Sequence, residues 1–248
     1  MPTPRAGAFT GVIGTKVFVA GGTSNAGIVN VHEIYDTANN SWSQGARLPT
    51  PRQGGASAVV NNIFYAIGGA NNGQLSVVEA YDPAANAWST RAPLPFILDS
   101  MQAVVENNII YVVGGFNSGG GRLTSTLSYS PSTNAWSMLA PLKVGKSDSA
   151  TGLLGAPIVS AGGLGSSGVI TDTEGYNAAT NTWTTLAPIP TARQAGCFGV
   201  IGNEQYVAGV DSSGTTFNAL SVTGAYNSSS NSWTSGLAPM PVAEIVPG

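Results

Sequence analysis

One spacing recurs five times along this 248-residue chain and leaves few folds open to it. A tyrosine stands seven residues before a tryptophan at Tyr35 and Trp42, Tyr81 and Trp88, Tyr129 and Trp136, Tyr176 and Trp183, and Tyr226 and Trp233. Those five are all the tryptophans in the protein. An asparagine follows each tyrosine by five, at Asn40, Asn86, Asn134, Asn181 and Asn231. A glycine pair precedes each tyrosine at Gly21-Gly22, Gly68-Gly69, Gly114-Gly115 and Gly162-Gly163, with Gly209-Val210 as a degenerate fifth. The period is 46 to 50 residues and runs from end to end, leaving no separate domain and no linker. A period in that range marks a stacked repeat architecture.

Within each repeat the strands can be read off. A β-rich run precedes the glycine pair, as in Val17-Phe18-Val19-Ala20 and Ile109-Ile110-Tyr111-Val112-Val113. Before it lies a run of small and branched residues such as Ala56-Ser57-Ala58-Val59-Val60. Turn formers, Gly14-Thr15, Asn61-Asn62 or Asn107-Asn108, separate the two runs and mark a hairpin. A second hairpin joins the segment ending in Tyr to the one starting at Trp, its late Asn tolerating the left-handed backbone of a tight turn. A Pro-bearing stretch such as Leu48-Pro49-Thr50-Pro51 closes the repeat, because proline cannot donate to a sheet ladder. Each repeat is therefore four antiparallel strands, and no helical period appears.

Four strands per repeat is the arithmetic of a β-propeller. The double glycine, the Tyr-to-Trp spacing and the run Tyr81-Asp82-Pro83-Ala84-Ala85-Asn86-Ala87-Trp88 resemble the Kelch repeat. The resemblance covers the whole chain and implies a fold: all-β, a five-bladed β-propeller with Tyr and Trp packed between blades. The expected blades are 1–49, 50–95, 96–143, 144–190 and 191–248. Val210, Ser130-Pro131 and Asn177 depart from the family pattern, which weakens single turns and not the fold.

Composition excludes several functions. Charged residues are only 8% of the chain and the net charge is −3, so no basic patch exists to track nucleic acid. No apolar run reaches the ~18 residues of a membrane span. One cysteine excludes an internal disulfide framework, and one histidine excludes a His-rich metal site. No cofactor and no metal are expected. Few lysines against much Asn, Ser, Thr and Gly read as extracellular or cell-surface, and bacterial.

Only one spacing varies. From the second glycine position to Tyr the gap is 13, 12, 14, 13 and 16 residues, which marks the loop between the second and third strands. Loops vary where packing leaves them free, and binding residues concentrate there. Strand parity puts these loops on the same face as the residues that begin each innermost strand: Arg5, Arg52, Leu98, Lys146 and Arg193. The expected ligand site is therefore the mouth of a central channel carrying Arg5, Arg52, Lys146 and Arg193, with Asp99, Asp148 and Asp211 close by. Phe116 breaks the repeat pattern on that face and is a stacking candidate, as are Phe96 and Phe217. The competing reading is a structural ring whose cations bond loop carbonyls of the next blade.

Glu33, Glu79 and Glu174 recur two residues before Tyr, and that repetition argues for a framework role. His32 has no second ligand in its register and reads as a satisfied strand residue. Cys197 reads as a buried, inert thiol.

The functional expectation is a non-enzymatic binding module for a protein segment or a glycan, monomeric, with no membrane insertion. Its rival is a metal-free carbohydrate-active isomerase or lyase using Arg and Asp at the same mouth. Kelch-like propellers also include a copper oxidase and iron-dependent specifier proteins, whose ligand sets this sequence does not supply. A third reading is a propeller trimmed from a larger protein, which fits a start inside the repeat register without a signal peptide.

Overall fold

The computed structural model describes residues 1–194, 197–211 and 219–243, the side chains of Val210 and Asp211 excepted. The chain is all-β, five four-stranded antiparallel sheets forming the blades of a five-bladed β-propeller. In every blade the strands lie in chain order. Blade one is Phe9–Ile13, Lys16–Ala20, His32–Asp36 and Ser41–Gln44; blade two is Ala56–Val60, Ile63–Ile67, Val78–Asp82 and Ala87–Thr90. Blade three is Gln102–Glu106, Ile109–Val113, Thr126–Ser130 and Ala135–Met138. Blade four is Ala150–Leu153, Pro157–Ala161, Thr173–Asn177 and Thr182–Thr185; blade five is Cys197–Ile201, Glu204–Asp211, Ala219–Asn227 and Ser232–Leu237.

Two compact units divide the chain, one of residues 1–111 and 128–137, the other of 112–127 and 138–247. In the first, Phe9, Phe18, Leu48, Phe64 and Tyr81 form a buried cluster where blade one packs on blade two. In the second, Leu154 and Val159 of blade four pack with Tyr226 and Trp233 of blade five.

The repeated residues explain why the sheets stack. Each late Asn of the outer hairpin takes a positive φ, from 47° to 51°, as its turn requires. Its Oδ1 accepts the tyrosine hydroxyl five residues earlier in all five blades. In four blades the same Oδ1 also accepts a backbone N–H from the preceding blade: Ala46 to Asn86, Ala92 to Asn134, Ala140 to Asn181 and Ala187 to Asn231, all at 2.8 Å. The carbonyls of those four alanines accept the indole N–H of Trp88, Trp136, Trp183 and Trp233. One amide of each preceding blade is thus bonded in both directions. The inner side of each junction uses the glycine pair, whose second N–H donates to a carbonyl of the next blade: Gly22 to Arg52, Gly69 to Leu98, Gly115 to Lys146 and Gly163 to Arg193.

Candidate functional site

In blades one, two and four the residue after the cation sits against its own blade's variable loop, as the backbone bridges Ala6 to Thr23, Gln53 to Ala70 and Ser147 to Leu164 record. The side chain of the cation, however, turns inward. Arg52 has no exposed surface. Its Nε donates to the Gly68 carbonyl at 2.8 Å, Nη2 to Ala66 at 2.9 Å, and Nη1 to Thr50 and to the Glu79 carboxylate. The Phe9 ring lies 5.0 Å from its guanidinium carbon. Arg5 repeats the plan, with Nη1 on Glu33 at 2.7 Å and Nη2 on the Val19 carbonyl at 2.9 Å. Lys146 reaches Asp172, and Glu174 at 3.3 Å. Arg193 has no carboxylate partner among the described residues and donates to the carbonyls of Val207, Val222 and Thr191.

These four cations are the ones expected at the ligand mouth, and they are braces. Arg5, Arg52 and Arg193 each span their own blade from the second strand to the third, and Lys146 reaches the third-strand side of its own blade, not the next blade as the competing reading had it. Glu33, Glu79 and Glu174 are the other half of the brace. Burial works against charge on Glu33, but hydrogen bonds from Thr3 and Arg5 prevail and hold its carboxyl below the usual range. Glu174 is pushed up by burial and by the neighbouring Asp172, against the Lys143 amide and Lys146. Desolvation likewise lowers Arg52, with Glu79 opposing it.

Blade three shows what the brace is exchanged for. Leu98 stands at its cation position and Leu127 at its glutamate position, both with no exposed surface. Arg and Glu are lost together and replaced by two leucines, a substitution that buried ion pairs often tolerate. That co-substitution was the signal, visible in the sequence, that joins the two repeated positions into one pair.

The variable loops between second and third strands carry short ribbons of their own. Two-residue ribbons occupy three of them: Thr23–Ser24 with Gly27–Ile28, Phe116–Asn117 with Gly121–Arg122, and Leu164–Gly165 with Gly168–Val169. In the blade-three ribbon Phe116 pairs with Arg122, and the guanidinium carbon lies 5.6 Å from the ring centroid. Both side chains are half-buried. Arg122 donates no side-chain hydrogen bond to any described residue, and its Nε is buried without a partner. It falls at no repeated position, so the repeat comparison passed over it. What gives it away is a cation placed across the turn Asn117-Ser118-Gly119-Gly120 from an aromatic.

The expected acids separate. Asp99 is half-buried and accepts from Gln74 at 3.0 Å; burial raises its carboxyl despite that bond and one from Ser100. Asp148 takes a φ of 53° and accepts the Ser147 hydroxyl at 2.8 Å. Asp211 ends the second strand of blade five, and its side chain lies outside the described residues, as does Phe217.

His32 is buried among Phe18, Phe64, Tyr81 and Trp88, with Nδ1 3.0 Å from the Ala46 carbonyl. Its pKa falls to about 4, chiefly through burial, with Ala46 opposing and Arg5 adding. Cys197 differs from expectation: it is exposed, because the first strand of blade five is exposed along its length. No group of three or more His, Cys, Asp or Glu that could hold a metal ion occurs among the described residues.

Blades with these stitches and braces define a Kelch-type propeller. A family model described as the Kelch motif matches residues 4–49, 51–95 and 101–143, more than half of the chain, and the chain belongs to the Kelch-repeat family. It is also similar to a solved structure described as "Structure of YjhT", with a TM-score of 0.84 at 18% identity over 99% of this chain and 87% of the other. At that identity the likeness is one of fold.

Proposed function

We propose that this Kelch module binds a carboxylate-bearing ligand, from a protein segment or a glycan, on the face of its second-to-third-strand loops, with Phe116 and Arg122 as the contact pair. The observation that carries the reading is the state of Arg122, a cation stacked on an aromatic with no hydrogen-bond acceptor among the described residues. A guanidinium in that state suits bidentate capture of a carboxylate while Phe116 supplies an apolar face. Asp99 and Asp148 serve as hydrogen-bonding neighbours on their own loops. The rival isomerase or lyase needs a free arginine beside a carboxylate: Arg5, Arg52 and Arg193 are already bonded within their blades, and Arg122 has no ion pair with a carboxylate among the described residues. Binding is therefore preferred to catalysis.

The test is an array of acidic and neutral peptides together with carboxylated and neutral glycans, followed by affinity measurement on the retained class. One charge-assisted hydrogen bond is worth roughly 1.5–3 kcal/mol, so Arg122→Ala should weaken binding about tenfold or more. Phe116→Ala should weaken it too, and Asn61→Ala, in a turn at the other end of its blade, should not. Retention of neither acidic class, or full affinity in Arg122→Ala, would overturn the reading.

A further inference from the structure

Blade four builds its brace differently from the others. Where Arg5, Arg52 and Arg193 stand in blades one, two and five, it carries Lys146. Four residues before its tyrosine, where the other blades have Val31, Val77, Ser125 and Val222, it carries Asp172. The two changes occur only together. Lys146 is thereby the one cation among the described residues that meets two carboxylates, its Nζ in direct contact with Asp172 Oδ1 and 3.3 Å from Glu174 Oε1.

An ion pair alone gives no reason for this exchange, since a single Arg–Glu pair serves in blades one and two. The two cations differ in chemistry. A guanidinium keeps its proton, whereas an amine that sheds one carries a lone pair able to attack a carbonyl carbon. The surroundings suit that attack. The side chains of Lys146 and Glu174 have no exposed surface, and that of Asp172 is 22% exposed. Charges held so far from water are costly, which favours conversion of the pair to a neutral group. Contact between amine and carboxyl also turns a two-molecule reaction into a one-molecule one. Glu174 is fixed in place by the Lys143 amide on Oε2 at 2.8 Å and the Val144 amide on Oε1 at 3.3 Å. Burial raises its carboxyl, with Asp172 adding and the Lys143 amide and Lys146 opposing, as suits a group that takes a proton and gives it back.

We propose that Lys146 and Asp172 join in an intramolecular amide bond, with Glu174 as the proton relay. The ammonium gives one proton to the Asp172 carboxylate, leaving an amine and a carboxylic acid. The Nζ lone pair then attacks Cγ. Glu174 takes a second proton from Nζ and passes it to the Asp172 hydroxyl, the Cγ–O bond breaks, and water departs. The new Nζ–Cγ amide keeps the third hydrogen, nothing is oxidised or reduced, and Glu174 ends as it began. The bond ties the segment before the first strand of blade four to the segment before its third strand.

Mass spectrometry tests it. The parent protein, kept folded for several days at neutral pH, should have an intact mass below the sequence mass by one water. Trypsin should fail to cut after Lys146, and fragmentation should find a branched peptide joining the Lys146 and Asp172 segments. Lys146→Arg and Asp172→Val each install the residue of blades one and two, and should keep the full sequence mass with the parent's near-ultraviolet circular dichroism. Glu174→Gln should keep the full mass under conditions in which the parent has lost its water, because a proton relay is worth about a hundredfold or more in rate. A parent at the full sequence mass, free cleavage after Lys146, or a lost water mapped to other residues would each overturn the proposal. Loss of water from Glu174→Gln as fast as from the parent would overturn the relay.

Discussion

His32 shows how little a residue's type says about its work. A lone histidine beside a glutamate invites a metal or an acid–base role, yet the ring is closed in by four aromatic side chains and shares the Ala46 carbonyl with Trp88. It is neutral, with the proton on Nδ1 facing that carbonyl, and a second proton on Nε2 would find no acceptor among the described residues. The unfolded chain takes up that proton near the ordinary value of 6.5, the folded protein only near 4. Stability is therefore full above pH 6.5 and falls as the pH drops toward 4, by about 3 kcal/mol for a shift of this size. Glu33, held below its ordinary value of 4.5, adds its own loss only below that pH. Thr126, Thr173 and Thr223 stand at the equivalent position in blades three to five, so His32→Thr is a substitution the fold already uses. Urea midpoints at pH 7 and pH 5 should differ clearly in the parent and much less in the variant. Equal differences would place the titration elsewhere.

At the scale of the element, the sequence was legible wherever a position repeats. The glycine pairs, the hairpin turns and the four strands per blade follow from spacing alone, and the positive φ of all five hairpin asparagines agrees with their place late in the turn. What those residues do between blades was less legible, because a backbone amide leaves no mark in a sequence. Ala46, Ala92, Ala140 and Ala187 matter through their N–H and C=O groups, and only the recurrence of a small residue four after Trp hints at it. The first glycine of each pair has two reasons to be glycine. At Gly68 φ is 57°, and a Cβ would lie 2.6 Å from the Leu98 carbonyl oxygen of blade three; at Gly14 φ is 58° and nothing lies within 4 Å. Gly14→Ala should therefore cost only backbone strain, about 1–2 kcal/mol, and Gly68→Ala distinctly more. Thermal melting of the two variants checks this. Equal losses would mean that conformation alone, and not the close approach of the next blade, fixes the glycine.

Over the whole molecule the scarcity of charge becomes informative. With nine basic and twelve acidic side chains, a cluster reads as a site, and the strand parity that puts a cation beside its own blade's variable loop agrees with the bridges next to Arg5, Arg52 and Lys146. Direction was the missing quantity. A side chain at the start of an inner strand can point out to a ligand or back along the sheet, and spacing does not distinguish the two. The partner positions held the answer: Glu33, Glu79 and Glu174 accompany a cation, and Leu127 accompanies Leu98. Arg122 was missed for the opposite reason, since it falls at no repeated position. The central claim is that the buried cation and its glutamate are one interchangeable brace. Denaturant unfolding of Arg52→Leu, Glu79→Leu and the double variant tests it without any ligand. Each single change strands a buried charge and should cost roughly 3–5 kcal/mol, while the double variant, which copies blade three, should regain most of that loss. A double variant as unstable as the sum of the two single ones would contradict the account.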